Sequence, residues 1–145
     1  MTGLLGAVEA RVAEVSGIKQ VAGAVSWAQL QDSGKVPPAH QQPAAFVVPL
    51  GETAGPQHNA TGAHRQRLTL SVGVVLLVGT RNDPHGDKAV DAVKPLADTL
   101  RDHLTGWAPT GGEALRYRRG RVVGFHQSTV FWLAEFETGE LLGKP

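Results

Sequence analysis

The stretch "RQRLTLSVGVVLLVG", residues 65–79, does most to restrict what this chain can fold into. Its first half alternates. Leu68, Leu70 and Val72 fall on one face and Arg67, Thr69 and Ser71 on the other, the period of a strand with one wet side. From Val74 to Val78 both faces are apolar, so that half must be covered from two sides. At about 3.3 Å per residue the strand spans about 40 Å, more than twice the usual length, and on this reading it reaches beyond its own domain.

The other elements have to fit around it. Leu4, Leu5, Val8, Val12 and Val15 recur at three- and four-residue steps, which predicts a short amphipathic helix ended by Gly17. "QVAGAV" is a candidate strand, "DSGKVPPAHQQP" an exposed loop by its proline, glycine and polar content, and "AAFVVPL" a strand. "GETAGPQHNATGAH", residues 51–64, has no large apolar side chain and reads as a long loop of the kind that often carries function. A second helix is expected after Asp83 and Pro84 or after Asp87, with Val90, Val93, Leu96, Leu100, Leu104 and Trp107 as its stripe. Pro95 should kink or split it. "LRYRRGRVVGFHQSTVFWLAEF" supplies a final hairpin with Gly120 as bulge or turn and "HQST" at the tip. Strands and helices do not alternate regularly, so the expected class is α+β, a mainly antiparallel sheet with two helices packed on it. A chain of 145 residues matches one such domain, residues 1–145.

Catalytic chemistry finds little support. The chain has no cysteine, which removes thiol nucleophiles, disulfides and cysteine metal sites together. There is no nucleophile elbow, no phosphate-cradling glycine loop with its lysine, and no paired histidines at metal-ligand spacing on a helix. The histidines are scattered and read as surface residues. Glu135 and Glu137 share a strand face, but they sit where charge commonly discourages sheets from pairing edge to edge. "NAT" at Asn59 fits a glycosylation pattern by chance, since no secretion signal precedes it. The N-terminus has acids within it and no long apolar run, which predicts neither signal peptide nor membrane span and a soluble protein made in a cytoplasm.

Four arginines, Arg116, Arg118, Arg119 and Arg121, crowd the start of the final hairpin. Simple alternation puts Arg119 and Arg121 on one side and Arg116 and Arg118 on the other unless Gly120 shifts the phase. A formal net charge of +1 is small for a nucleic-acid-binding domain, so the cluster reads as a protein contact, with acids such as Glu135, Glu137 and Glu140 as partners. Trp107 is expected to close the core where the helix returns to the sheet, Trp27 is ambiguous, and Trp132 lies in a strand apolar on both faces.

"AAFVVPLGETA", the long loop before a long apolar strand, "LRDHLTGWAP" and "GRVVGFHQSTVFWLAEFET", in this order, resemble the tail terminator proteins of long-tailed phages and prophages. The resemblance spans roughly Phe46 to Thr138 and lies in the order and spacing of the set. It implies a structural virion protein, not an enzyme, with no cofactor. It further implies a homohexameric ring capping the tail tube, which stops tube polymerisation and offers a surface to a head-completion or connector protein. Genome DNA would pass through the ring without specific binding, and no membrane is involved. On this reading Val74, Val75, Leu76, Leu77, Val78 and Trp132 meet a neighbouring subunit, because a ring needs a heterologous contact. Glu52, His58, Asn59, His64 and the four arginines dock partners. Two other classes are compatible with the residues: a ligand-sensing α+β module with a closed apolar pocket, and a single-strand nucleic-acid binder using Tyr117 and the arginines.

Overall fold

The computed structural model describes residues 3–60, 63–80, 87–109, 112–126 and 128–144, without the side chains of residues 39, 57–60, 63–64 and 143–144. Asp83, Pro84 and Gln127 of the expected helix start and hairpin tip lie outside the described residues. The elements run α1 (Leu4–Ala13), β1 (Gln20–Ala22), α2 (Ala24–Ser33), a 3-10 turn (Ala39–Gln41), β2 (Ala44–Ala60), β3 (Ala63–Gly79), α3 (Asp87–Leu104), β4 (Arg116–His126) and β5 (Thr129–Lys144). The strands form one sheet in the order β1-β2-β3-β5-β4, with β1 parallel to β2 and every other pairing antiparallel. The fold is α+β, as the residue pattern predicts, with α2 as an additional helix.

The sheet is covered on both sides at one end. Val72, Val74, Leu76 and Val78 of β3 join Val8 and Val12 of α1, Val93 and Leu100 of α3, and Phe136 of β5 in the larger core. Val75 and Leu77 point the other way, where Phe46, Leu133 and Phe131 meet Trp27 and Leu30 of α2. Each fully buried aliphatic side chain contributes about 1.5–3 kcal/mol, so both layers weigh in stability. The second cover demanded by the Val74–Val78 stretch therefore comes from α2 of the same chain. Val75 is 3% exposed and Leu77 fully buried, so neither is turned outward toward a neighbouring subunit as the resemblance implied.

Residues 24–33 escaped the sequence reading because little marks their helix. Gly23 offers no side-chain cap, and Trp27 and Leu30 are its only large apolar residues apart from the exposed Val25. Its end is better signed. Gly34 takes φ 68°, a left-handed conformation suited to glycine, and its N–H donates to the Leu30 carbonyl at 2.8 Å. The ring of Trp27 packs on Phe46 and Phe131 at 5.6 and 5.8 Å between centroids, pinning the helix to the sheet.

The expected loop at residues 51–64 is corrected to strand. Apart from residues 61 and 62, β2 and β3 continue as a hairpin arm in which Glu52 pairs with Leu70, His58 with Arg65 and Asn59 with His64. The register shifts between Pro49 and Gly51 and again between Ala54 and Gln57. Leu50, Gly55 and Pro56 thus fall at bulges, where strand glycine and proline belong, and their presence made a strand look like a loop. β3 has 17 residues and runs about 55 Å. The far part of β5 pairs along the arm, from Thr138 opposite Leu70 to Lys144 opposite His64.

α3 continues through Pro95 as one helix and is not split. Proline removes the bond to the Asp91 carbonyl, but Asp91 and Pro95 are both exposed, so water can take that acceptor. Its buried residues are Ala89, Val93, Ala97, Leu100 and Leu104, with Val90 left exposed. Trp107 packs on the core beyond the helix, under the guanidinium of Arg11 at 5.4 Å, as its expected closing role requires.

Gly120 is not a bulge; the register of β4 against β5 shifts at Arg118 and again at Val123. Glycine is needed there for space. A Cβ at 120 would stand 2.7 Å from Cζ2 of Trp132 and closer still to the Tyr117 hydroxyl. Gly120→Ala is therefore expected to cost about 1–3 kcal/mol through overpacking. Urea unfolding with a midpoint equal to wild type would show that the neighbours move aside freely.

Candidate interaction surface

β4 is the outermost strand, paired on one side with β5, and the bulge at Arg118 decides how its side chains are distributed. Arg116 lies opposite Glu137 and Arg119 opposite Glu135, two partners that share a face of β5. Because the extra residue on β4 restores the phase, Arg116, Arg119 and Arg121 emerge on that same face. The phase shift considered at Gly120 occurs at Arg118 and gathers the cluster. Arg119 Nε donates to Glu135 Oε2 at 2.5 Å, and Arg121 approaches the same oxygen at 3.7 Å. Arg118 lies 3.8 Å from Glu137 and Arg116 4.0 Å from Glu113. Of the three acids expected as partners, Glu135 and Glu137 meet the arginines within the subunit, while Glu140 lies further along β5 opposite Leu68.

The surface extends further than the sequence reading reached. Arg67 of β3, at the base of the arm, donates both terminal nitrogens to the carboxylate of Glu113. That hydrogen bond, helped by the charges of Arg67 and Arg116, holds the Glu113 carboxyl below its usual pKa. Five guanidiniums thus face three carboxylates, an excess of two positive charges on one connected surface. All five arginine side chains are about half exposed, whereas the Glu135 side chain is nearly covered. Arg67 could have been suspected, since it sits on the polar face with Thr69 and Ser71. Nothing local signalled Glu113, which the backbone brings close by donating from its N–H to the Gly139 carbonyl at 3.3 Å.

Beyond Arg121 the edge turns apolar. Val122 and Phe125 are 44% and 41% exposed. Here an open cleft of about 480 Å³ separates β4 from α2, with Trp27, Leu30, Val36, Val123 and Phe131 among its walls. It is not the closed pocket that a small-molecule sensor of this class requires.

The remaining candidate residues are dispersed. Val74 to Val78 are core, and Trp132 is partly buried against the larger core with its indole N–H unpartnered. Glu52 is exposed on the arm, beside a shallow depression it forms with Leu4, Leu5 and Leu70. The backbones of His58, Asn59 and His64 lie on the arm, and their side chains are outside the described residues. Among the described residues no three potential metal ligands come together, and no helix is long and apolar enough to cross a membrane.

Fold and surface together define a small α+β protein whose described chemistry is paired charge on an open sheet edge. Comparison with known families makes this specific: the model described as phage tail terminator protein matches residues 5–144, and the chain belongs to that family. The match also takes in the N-terminal segment, which lies outside the span from Phe46 to Thr138 that carries the sequence resemblance. Membership makes the chain a structural component of a phage tail, in a family not known for enzymes. No curated protein matches the chain.

Proposed function

We propose that six copies of this protein close into a ring on the head-proximal end of the tail tube, end its polymerisation and present a surface for head-tail joining. Family membership over residues 5–144 is the observation that carries this reading. The sheet supports it, because it ends in two unlike edges, the short β1 and the long β4. Unlike edges offer no symmetric edge-to-edge pairing, which leaves room for the heterologous contact from which rings are built. Partners on this reading are the tube protein and a head-completion or connector protein, with genome DNA passing through unbound and assembly taking place in the host cytoplasm.

Since Val74 to Val78 are covered within the subunit, contacts between subunits are assigned to the β1 edge and the arm, and the β4 edge is left for docking. The arginines, together with Glu52 and the arm residues His58, Asn59 and His64, are assigned to docking. Light scattering of the purified protein, alone and on isolated tubes, tests the ring. A six-subunit particle in either state is expected. A monomer in solution and no ring on tubes would sink the reading.

A further inference from the structure

Three features coincide on β4. Its outer edge has no strand beside it among the described residues, so a row of backbone N–H and C=O groups is open to a partner. Its arginines hold hydrogen-bonding capacity that the subunit does not consume. Arg116, Arg118 and Arg121 reach carboxylates only at 4.0, 3.8 and 3.7 Å, beyond hydrogen-bonding distance, while each guanidinium carries five N–H donors. Finally, the edge runs on past Arg121 to the apolar cleft against α2.

We infer that the outer edge of β4 is a strand-addition site for an extended segment of another tail protein, acidic at alternate positions beside the arginines and apolar beside the cleft. The periods match. A strand laid on β4 would run about 4.8 Å away with its side chains repeating every second residue, so carboxylates at alternate positions would fall beside Arg119 and Arg121. Main-chain bonds would supply affinity, and the charges and the cleft would select the sequence. The arginines also filter partners. A second β4 would set guanidinium against guanidinium and be repelled, so the edge is closed to a symmetric copy and open to an acidic strand. DNA would meet the charge but has no use for the backbone edge, and the excess of two charges over three carboxylates is modest for a phosphate backbone. The inference refines the docking half of the function proposed above and does not require the ring.

The test uses the full chain and a fluorescein-labelled synthetic peptide of about ten residues, glutamate alternating with threonine in one half and valine with threonine in the other. Fluorescence anisotropy is expected to show saturable binding below about 1 mM. A lysine-for-glutamate version should bind at least about tenfold more weakly, as should the parent peptide to the double variant Arg118→Gln/Arg121→Gln. Backbone N-methylation separates strand addition from simple charge attraction. Methylating the amides along one edge of the peptide should abolish binding, and methylating the opposite edge should leave it within about threefold. Any other methylation pattern, absence of saturation, or tighter binding of an oligothymidine strand than of the peptide overturns the inference. If the double variant fails to fold, as circular dichroism would reveal, the methylation series on the wild-type chain decides alone. Loss of the ring with peptide binding intact would fault the assembly reading and not this one.

Discussion

Leu77→Asp is expected to unfold the subunit rather than to release folded monomers from an assembly. Leu77 is fully buried under α2 with Phe46, Val75 and Leu133. Losing its side chain alone costs about 2–5 kcal/mol. An aspartate there has no cation in the described cluster, and an unpaired buried charge adds several kcal/mol more or forces the carboxyl to stay protonated. A domain of this size holds about 5–15 kcal/mol in total, so most of its stability would go. Val122→Asp is the control, since Val122 is exposed on the edge strand and its substitution should leave the fold intact. Circular dichroism and soluble yield decide. A soluble Leu77→Asp protein that melts like wild type would mean that α2 does not cover this face, and the subunit-interface role first read for Val74–Val78 would return.

That difference shows what the residues disclosed and where they stopped. The alternation from Leu68 to Val72 and the double-faced run after it placed β3, and they stated correctly that two layers must cover it. They could not name the second layer. α2 carries no side-chain cap and only Trp27 and Leu30 as buried or half-buried large apolar anchors, so its periodicity is too faint to separate from a loop. The arm was hidden for the opposite reason. Strand pairing beyond a core is made by backbone bonds, which any polar sequence can supply, and the glycine and proline at its bulges are also the commonest marks of a loop. On the charged face the four arginines of β4 were visible in the sequence, but the common direction of Arg116, Arg119 and Arg121 was not. It follows from one extra residue at Arg118, and a bulge depends on the partner strand as much as on its own. Glu113 joins them only through tertiary contact.

Removing the arm is expected to separate folding from function. Ala54 and Leu68 are cross-strand partners, so replacing residues 55–67 with Asn-Gly should close a two-residue hairpin in the existing register. The two core clusters include no residue from the deleted segment. The deletion loses the Arg67 bridge to Glu113 and the pairing of β5 from Leu141 onward, both at exposed sites. Melting temperature should therefore fall by no more than about 5 °C, the shift that about 1 kcal/mol produces in a domain of this size. Function should fare worse. A paired arm that extends past the core contributes little to the stability of its own subunit, and on the proposed reading it serves to contact the tube or the next subunit. The shortened protein should fold, yet fail to limit tail length when it complements a phage lacking the gene, giving tails of uncontrolled length by electron microscopy. Tails of normal length would show that the arm is dispensable for termination and shift the docking role to the β4 edge. Cooperative unfolding lost altogether would instead show that β5 needs the arm to hold its place between β3 and β4.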